Sequence, residues 1–323
     1  MSGGSADELL TVLREHQGAF LSGEELSRRS GVSRTTIWKQ IEKLREEGYQ
    51  IAAQPHLGYR FVAPPDRLIP EELSWGLDTK VVGRRIYGYA ATDSTMDLAH
   101  RLIAGGEPEG TVVFAETQTR GRGRLGRTWA SPAGQGIYVS LILRPRMPMS
   151  AAPVLTVMTA VAVVRAVRAA TGLAAQIKWP NDVMLRERKV GGILTEVTAE
   201  LNQVHAAVIG IGLNVNAPRS ALPRFATSLA LEVGSSVDRL AVARALLQEL
   251  DHAYGEFRRR GREPLLAAWR DASLTLGRRV RVDCQGRHVD GQAVGVDRDG
   301  ALLVRTDAGP IETVTAGEVL LLR

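Results

Sequence analysis

The residues best suited to chemistry lie in a short stretch, 121–129, that holds three glycines, three arginines and a tryptophan. Glycine lets a backbone approach a ligand closely, and the arginine guanidinium offers a fork of donors that matches phosphate or carboxylate. The indole at the end of the stretch suits either the face of a purine or a place in a core. The pattern favours an anion-binding loop, and a solvated basic turn remains the alternative.

The same stretch contains G-x-G-x-x-G, the fingerprint of dinucleotide-binding folds. That fingerprint needs a helix opening at its last glycine and an acidic residue about 20 positions on. Pro132, Gly134 and Gly136 stand where the helix should be, and Arg144 and Arg146 stand where the acid belongs. We therefore interpret the match as accidental.

Four further segments place polar side chains or glycines at the ends of predicted elements: residues 93–95, 178–182, 189–192 and 210–214. In the first, hydroxyls at a helix start suit a polar or anionic ligand, although a plain N-cap explains them equally well. In the second, a lysine ends a strand before a Pro-Asn-Asp turn. Glycines in the last two let another group lie against a strand. Together the segments predict a single site.

Several other chemistries find no support in the sequence, which has neither the P-loop motif G-x-x-x-x-G-K-[ST] nor the nucleophile elbow G-x-S-x-G. The six histidines lack metal-ligand spacing. A single cysteine, Cys284, excludes an internal disulfide and a cysteine metal cluster, and it favours a reducing, cytoplasmic setting.

The 323 residues are enough for about two or three domains. A net charge of +6 and a pI of about 9.7 suit polyanionic partners. No cationic-then-apolar leader opens the chain, so a secretory signal is not expected. The longest apolar run, 151–164, is too short to span a bilayer. It predicts a buried helix and no membrane partner.

The first 65 residues have the pattern of a winged helix-turn-helix domain. Ser22 and Ser33 precede two of the three predicted helices as N-caps, and apolar residues at 37, 41 and 44 form one buried face. Helices are predicted at 7–16, 22–30 and 34–47, and a hairpin is predicted from runs at 49–53 and 58–62. A Pro-Pro-Asp linker follows.

Charge in this domain indicates nucleic acid only locally. Residues 1–63 hold eight basic and eight acidic side chains, but between Arg28 and Arg45 six basic residues face one acid. The start and outer side of the third helix are where a recognition helix meets bases and phosphates. The candidate DNA-binding residues are Ser33, Arg34, Thr35, Thr36, Trp38 and Lys39. A protein-interaction or spacer module is the alternative, and Trp38 is compatible with base contact, the core or partial burial.

Beyond the linker, strands and helices alternate in a way that predicts an α+β domain on a mixed sheet over residues 66–270. Strands are predicted at 85–91, 111–115, 136–143, 176–179, 183–185, 191–197 and 204–213, and helices at 95–104, 150–170 and 237–260, with a turn at Glu187-Arg188. Short strands split by turns then predict a small β-barrel over residues 271–323.

Taken in order, residues 93–95, Gln118 with 121–129, 178–182, 189–194 and 210–214 resemble the catalytic domain of biotin protein ligases. The winged helix in front makes the chain similar to the bifunctional form, which is a ligase and a biotin operon repressor. The resemblance covers essentially the whole chain and implies an SH3-like C-terminal barrel. Met96 stands where the family usually has asparagine, and Arg120 adds a charge ahead of the loop.

The resemblance implies a two-step reaction with ATP and biotin as substrates and Mg²⁺ as cofactor. Biotin and ATP first give biotinyl-5′-AMP and pyrophosphate, and a lysine of a biotin carboxyl carrier domain then attacks the mixed anhydride. It also implies operator DNA as a partner and a homodimer linked to the adenylate.

Site residues follow from the same resemblance. Lys189, Lys178 and Arg124 are expected to be catalytic, with Lys189 bridging the biotin carboxylate and the α-phosphate. The implied biotin site is Ser94, Thr95, Gln118, Arg122, Gly123, Arg124, Lys189 and Gly192. The implied ATP site is Arg122, Trp129, Lys178, Asn181, Asp182 and Asn214, with Asp182 also near Mg²⁺.

Two rivals share part of this pattern. A lipoate ligase uses the same chemistry on a related fold, although the Gly-Arg loop and Lys-Trp-Pro-Asn-Asp argue against it. A transcription factor that senses biotin or its adenylate without turnover belongs to another functional class.

Overall fold

A computed structural model describes residues 6–284 and 286–322, so Gln285, where the sequence predicts a turn, lies outside the described residues. The chain divides into two compact units, Met1–Asp66 and Arg67–Arg323.

The smaller unit has three helices followed by a hairpin: α1 (Ala6–Glu15), α2 (Gly23–Ser30), α3 (Arg34–Glu46), β1 (Gln50–Gln54) and β2 (Gly58–Ala63). A serine caps each of the last two helices. Ser22 Oγ accepts the N–H of Glu25 at 3.1 Å, and Ser33 Oγ accepts that of Thr36 at 3.2 Å. Such a cap contributes about 1 kcal/mol to stability. The predicted winged helix-turn-helix is confirmed.

One face of α3 forms the core of this unit. Ile37 and Ile41 are fully buried and pack in one cluster with Leu9 and Leu26. Trp38 lies outside that cluster with 53% of its surface exposed. The structure therefore excludes the interpretation that Trp38 wedges into the core.

The larger unit contains six α-helices in its described residues: α4 (Pro70–Ser74), α5 (Thr95–Ala104), α6 (Pro153–Thr171), α7 (Leu229–Val233), α8 (Arg239–Arg260) and α9 (Glu263–Asp271). Its first seven strands are β3 (Arg85–Tyr89), β4 (Thr111–Ala115), β5 (Gly136–Leu143), β6 (Gln176–Lys178), β7 (Asp182–Leu185), β8 (Arg188–Glu200) and β9 (Gln203–Asn214). They form one sheet in the order β3-β4-β5-β9-β8-β7-β6. The β3–β4 pair is parallel and the other pairs are antiparallel. The predicted α+β fold on a mixed sheet is confirmed.

Helix α6 lies in the core of this unit. By length and composition alone, Met149–Thr171 is long and apolar enough to cross a membrane, but 72% of its most apolar window is buried inside the protein. Its valine and alanine side chains belong to the main hydrophobic cluster, together with residues of α8 and of the sheet. The expected buried helix is confirmed.

The C-terminal strands form a second, antiparallel sheet in the order β13-β12-β11-β10-β14. They are β10 (Arg279–Asp283), β11 (His288–Val296), β12 (Leu302–Thr306), β13 (Ile311–Val314) and β14 (Glu318–Leu321). Val280, Val282 and Leu302 join the same hydrophobic cluster as α6. The small β-domain is therefore confirmed, and it shares a core with the central sheet. Its boundary at residue 271 stays a prediction.

Some predicted boundaries were wrong. Strand β3 ends at Tyr89, before residue 91, and α8 begins at Arg239 because Asp238 caps it by accepting the N–H of Ala241. The turn between β7 and β8 lies at Arg186-Glu187, not at 187–188, and both residues have positive φ, 47° and 60°. Helices α4, α7 and α9 were missed, since five to nine residues show little periodicity.

Candidate active site

A cavity of about 350 Å³ lies in the larger unit, and all of the predicted small-molecule site residues line it. These residues are Ser94, Thr95, Gln118, Arg122, Gly123, Arg124, Trp129, Lys178, Asn181, Asp182, Lys189, Gly192 and Asn214. They come from the start of α5, the loop before β5 and strands β6 to β9. Segments separated by up to 120 positions therefore meet at one place, as the sequence predicts.

The start of α5 supplies a polar wall. Ser94 occupies the N-cap position, but its side chain makes no cap hydrogen bond. Gln118 caps the helix instead, because its Oε1 accepts hydrogen bonds from the Thr95 N–H at 2.9 Å and from the Thr95 hydroxyl at 3.1 Å. Ser94 is 1% exposed, and its Oγ has no hydrogen-bond partner among the described residues. A buried, unpaired hydroxyl is unfavourable without a ligand, so the plain N-cap interpretation does not explain this residue.

The glycine-arginine stretch forms a narrow hairpin. The N–H of Gly123 donates to the Arg127 carbonyl at 2.7 Å, and the N–H of Trp129 donates to the Gly121 carbonyl at 2.9 Å. Its tip holds a 3-10 turn, Arg124–Gly126, and no α-helix opens there. The G-x-G-x-x-G match is therefore accidental, as the sequence predicts.

Trp129 covers the glycines of the neighbouring strands. A Cβ built on Gly212 would lie 2.4 Å from Cε2 of the indole, and one on Gly192 would lie 3.1 Å from Cζ3. The sequence predicts that these glycines let another group lie against the strands. In the structure that group is the Trp129 side chain, which forms a flat apolar wall.

Lys189 lies against this wall and beside an acid. Its Nζ lies 5.5 Å from the centroid of the Trp129 ring and 2.6 Å from Oδ1 of Asp182. The register of β7 and β8, with Asp182 opposite Gly192, brings lysine and carboxylate together. The ammonium and carboxylate are about one-quarter exposed, so both can reach a ligand in the cavity.

The Lys-Trp-Pro-Asn-Asp turn has two roles. Trp179 is buried, and its Nε1 donates to the Gly300 carbonyl at 3.0 Å, which fixes the turn to the C-terminal region. Asn181 donates through Nδ2 to the Ile193 carbonyl at 2.7 Å and accepts through Oδ1 from Arg124 at 3.0 Å. Thus the tryptophan anchors the turn, and Lys178 and Asn181 line the cavity on either side of it.

The arginines of the hairpin are held by different partners. Burial lowers the pKa of the Arg124 guanidinium, which also donates to the Gly317 carbonyl at 3.3 Å. Arg122 donates to Glu196 at 2.8 Å and lies 3.2 Å from Asp97. The cavity therefore has Arg124 inside and Arg122 toward its edge.

A further wall of the cavity, which the sequence did not indicate, lies between β9 and α7. Ala217, Ala221, Leu222, Pro223, Phe225 and Ala226 all line the cavity, and Phe225 is 68% exposed. The N–H of Lys189 donates to the Phe225 carbonyl at 2.9 Å. This segment has neither helical nor strand periodicity, so its sequence carries only turn signals.

The C-terminal sheet also reaches the cavity, which its own sequence did not indicate. Glu318 and Val319 line it, and Glu318 Oε1 lies 2.5 Å from Arg127 NH1. Together with the Gly317 carbonyl on Arg124, this contact places β14 against the glycine-arginine hairpin.

The two departures from the family pattern have clear positions. Met96 is 4% exposed at the cavity wall, and a Cβ on Gly210 would lie 2.7 Å from its Sδ. Arg120 pairs with Asp93 at 2.5 Å. Hydrogen bonds from Thr119 and then Arg120 lower the pKa of Asp93. Arg120 thus fastens the segment before the hairpin to the start of α5.

In the smaller unit, the candidate DNA-binding residues lie at one end of α3. Most are exposed, and Thr36 is half-buried. Arg34, Thr35 and Trp38 line a groove with the hairpin turn, which contributes residues 53–56, Gly58 and Tyr59.

Comparison with known proteins agrees with this arrangement. Residues 87–214 match the Biotin/lipoate A/B protein ligase family, residues 6–60 an HTH domain, and residues 275–322 the Biotin protein ligase C terminal domain. The bifunctional ligase/repressor BirA of Bacillus spizizenii is 39% identical over 306 residues, which are 94% of each chain. The biotin–[acetyl-CoA-carboxylase] ligase of Mycobacterium tuberculosis is 38% identical over 275 residues, 80% of this chain and 98% of that protein.

A solved structure shows the same likeness. The biotin protein ligase from Aquifex aeolicus in complex with biotin and ATP aligns with a TM-score of 0.63 and 30% identity, covering 74% of this chain and 99% of that one. From the site geometry and these matches together, the chain belongs to the biotin protein ligase family, in its bifunctional form with an N-terminal helix-turn-helix domain.

Proposed function

We propose that this chain joins biotin to ATP to form biotinyl-5′-AMP, transfers biotin to a lysine of a carboxylase carrier domain, and represses transcription in response to the adenylate. The observation that carries the ligase proposal is the convergence of Lys178, Lys189 and Arg124 on one cavity. Two mutually repelling acids can be joined only where positive charge offsets their repulsion and holds them in line.

In the first step a biotin carboxylate oxygen attacks the α-phosphorus of ATP, and the bond from that phosphorus to the β-bridging oxygen breaks. We assign Lys189 to bridge carboxylate and α-phosphate, because it lines the cavity and its ammonium lies 5.5 Å from the centroid of the Trp129 ring. Lys178 neutralises the triphosphate, and Arg124 stabilises the charge that passes to pyrophosphate. Ser94, Thr95 and Gln118 form the polar wall for the ureido ring.

In the second step the acceptor amine attacks the acyl carbon, loses a proton, and AMP leaves. No residue of the chain forms a covalent intermediate with biotin. Because the anhydride hydrolyses easily, the hairpin at 121–129 and the wall at 217–226 have a shielding role. Trp129 and Asn214 hold the nucleotide.

The residues around Asp182 fit a magnesium ion whose ligands are mainly water and the phosphate oxygens of ATP. Among the described residues, no group of three or more His, Cys, Asp or Glu side chains is placed to hold a metal. Mg²⁺ typically takes one or two protein carboxylates and completes its shell with water and substrate phosphate. Asp182, with Asn181 beside it, would hold such an ion, which when bound neutralises phosphate charge.

Replacing Asp182 by asparagine is therefore expected to raise the Mg²⁺ concentration needed for half-maximal adenylation by about tenfold, the effect of losing one charged ligand. A Mg²⁺ titration of pyrophosphate release measures this, with Asp78→Asn, outside the cavity, as control. An unchanged Mg²⁺ requirement would remove Asp182 from the metal site.

Substrate choice separates biotin ligation from its rival. The wild-type chain should release pyrophosphate with biotin and ATP and give a negligible rate when lipoate replaces biotin. A higher rate with lipoate would assign the cavity to lipoate ligation.

Operator binding is supported by the groove between α3 and the hairpin and by the Arg34 guanidinium that lines it. We expect Arg34→Ala to weaken DNA binding at every sequence and to reduce the slope of log affinity against log salt by about one, as loss of one phosphate contact does. Gel-shift titrations on the biotin-synthesis promoter over a salt series measure this. Lys43→Ala, whose partner is Glu47, is the control. An unchanged slope in Arg34→Ala would take that residue out of the DNA contact.

Repression by a homodimer linked to the adenylate is supported by the edge of β8. This strand pairs with β7 only as far as Gly192, so from Thr195 to Glu200 it has β9 on one side and no described strand on the other. Arg122 of the hairpin pairs with Glu196 on that stretch. Sedimentation with and without biotin plus ATP tests the link, and a monomer under both conditions would overturn it.

We assign residues 1–65 to DNA binding, 66–270 to ligation and 271–323 to a small SH3-like domain. We also propose a cytoplasmic location, where ATP, carrier domain and operator are found together; recovery in another cell fraction would contradict it.

A further inference from the structure

A buried carboxylate, that of Glu232, accepts a hydrogen bond from Arg188, the residue before Lys189. The side chain of Glu232, on α7, is 1% exposed. Its Oε1 accepts from Arg188 NH2 at 2.6 Å and from the Thr227 hydroxyl at 2.5 Å, and its Oε2 lies 3.4 Å from Arg186 Nε. A buried carboxylate is tolerated only when charged or polar donors surround it, so these three contacts act together.

The partners of Glu232 stand next to the backbone of Lys189. Arg188 immediately precedes that lysine. Thr227 donates its N–H to the Lys189 carbonyl at 2.8 Å, while the Lys189 N–H donates to the Phe225 carbonyl at 2.9 Å. The Glu232 carboxylate therefore joins Arg188 of strand β8 to Thr227, the residue after the wall segment. Both residues adjoin the backbone hydrogen bonds between Lys189 and the wall.

The other end of the wall segment is closed by a second side chain. Arg219 donates to the carbonyls of Ala226 at 2.6 Å and Leu222 at 2.9 Å, and also to that of Pro223. The wall segment is thus folded on itself. It is held to strand β8 beside Lys189, next to the residues that Glu232 contacts.

We propose that Glu232 is a positioning residue that holds Lys189 and the wall segment 217–226 together around the acyl-adenylate. Loss of this contact lets the wall and the lysine separate, so that the intermediate escapes or meets water before an acceptor amine arrives. The proposal rests on the proposed ligase function and assigns a retention role to a residue outside the cavity lining.

Two near-isosteric variants test it. Glu232→Gln keeps the size of the side chain and removes its charge, and Thr227→Val keeps the branched shape and removes the hydroxyl. In each, AMP formed per biotin transferred should rise by about tenfold, the change expected when one charge-assisted hydrogen bond is lost from a binding wall. The double variant should show less than the product of the two effects, because both act on one contact.

The readout is the ratio of AMP formed to biotin transferred. A general loss of stability lowers the amounts of AMP and of biotinylated carrier together and so leaves this ratio unchanged. Glu187→Gln is the matched control: it removes a carboxylate from the turn between β7 and β8, next to Arg188, where Glu187 pairs with Arg278 and is 62% exposed. Wild-type coupling in both test variants would overturn the inference while leaving the ligase intact. If Glu232→Gln lacks a cooperative melting transition, Thr227→Val alone decides. A wild-type chain that forms no adenylate would instead reject the proposed function.

Discussion

Replacing Lys189 by alanine is expected to slow biotin adenylation by about 10²–10³-fold, the usual effect of removing one preorganised charge that acts on a transition state. The ammonium lies 2.6 Å from Asp182 and 5.5 Å from the centroid of the Trp129 ring, so these two contacts fix its position in the cavity. Without the ammonium, less positive charge offsets the repulsion between the biotin carboxylate and the α-phosphate. Single-turnover formation of biotinyl-5′-AMP, followed by quenched flow, measures the effect.

The control for this variant is Lys80→Ala. Lys80 is exposed and does not line the cavity, so its removal changes the net charge by the same amount at a distance from the chemistry. A Lys189→Ala rate within a few-fold of wild type would show that another cation does this work.

Replacing Gly212 by alanine should also impair the enzyme strongly. The new methyl would lie 2.4 Å from Cε2 and 2.6 Å from Nε1 of Trp129, well inside van der Waals contact. Since Trp129 is a ring packed between strands and hairpin, it has to move as a whole. A displacement of about 1 Å in a group that positions substrates can lower the rate by about 10²-fold.

Adenylation rate and thermal melting measured together separate positioning from stability in this variant. Overpacking of this kind also destabilises by about 1–3 kcal/mol. Gly295→Ala is the matched control, because Leu303 Cδ1, at 3.6 Å, is the only atom of the described residues within 4 Å of a methyl there. Normal adenylation by Gly212→Ala would mean that the indole does not form the cavity wall during turnover.

The sequence predicted best where the pattern is local. Ile37 and Ile41 mark the buried face of α3 by spacing alone, and Ser33 marks its start. The ligand-site segments were recognisable because lysines and glycines fall at strand ends. Pairing of β7 with β8 then brings Asp182 to Lys189, seven positions along the chain, which is also a local contact.

What the sequence did not predict depends on distant chain segments. Nothing in the C-terminal strands marks Glu318 as a partner of Arg127, because the contact joins residues 191 positions apart. Arg219 binds carbonyls that any residues could supply, so its role leaves no pattern. Gln118 caps α5 in place of Ser94, and only the folded structure reveals that no described residue pairs with the serine hydroxyl.

Transfer of labelled biotin to a purified carboxylase carrier domain in a single turnover is the most direct test of the central claim, that cations converging on one cavity join biotin to ATP and shelter the product. The wild-type chain is predicted to label the carrier lysine in amounts matching the enzyme, with AMP released in step and Lys189→Ala giving almost none. Binding of biotin and ATP without any transfer to the carrier would contradict the account and leave a sensor of biotin in place of a ligase.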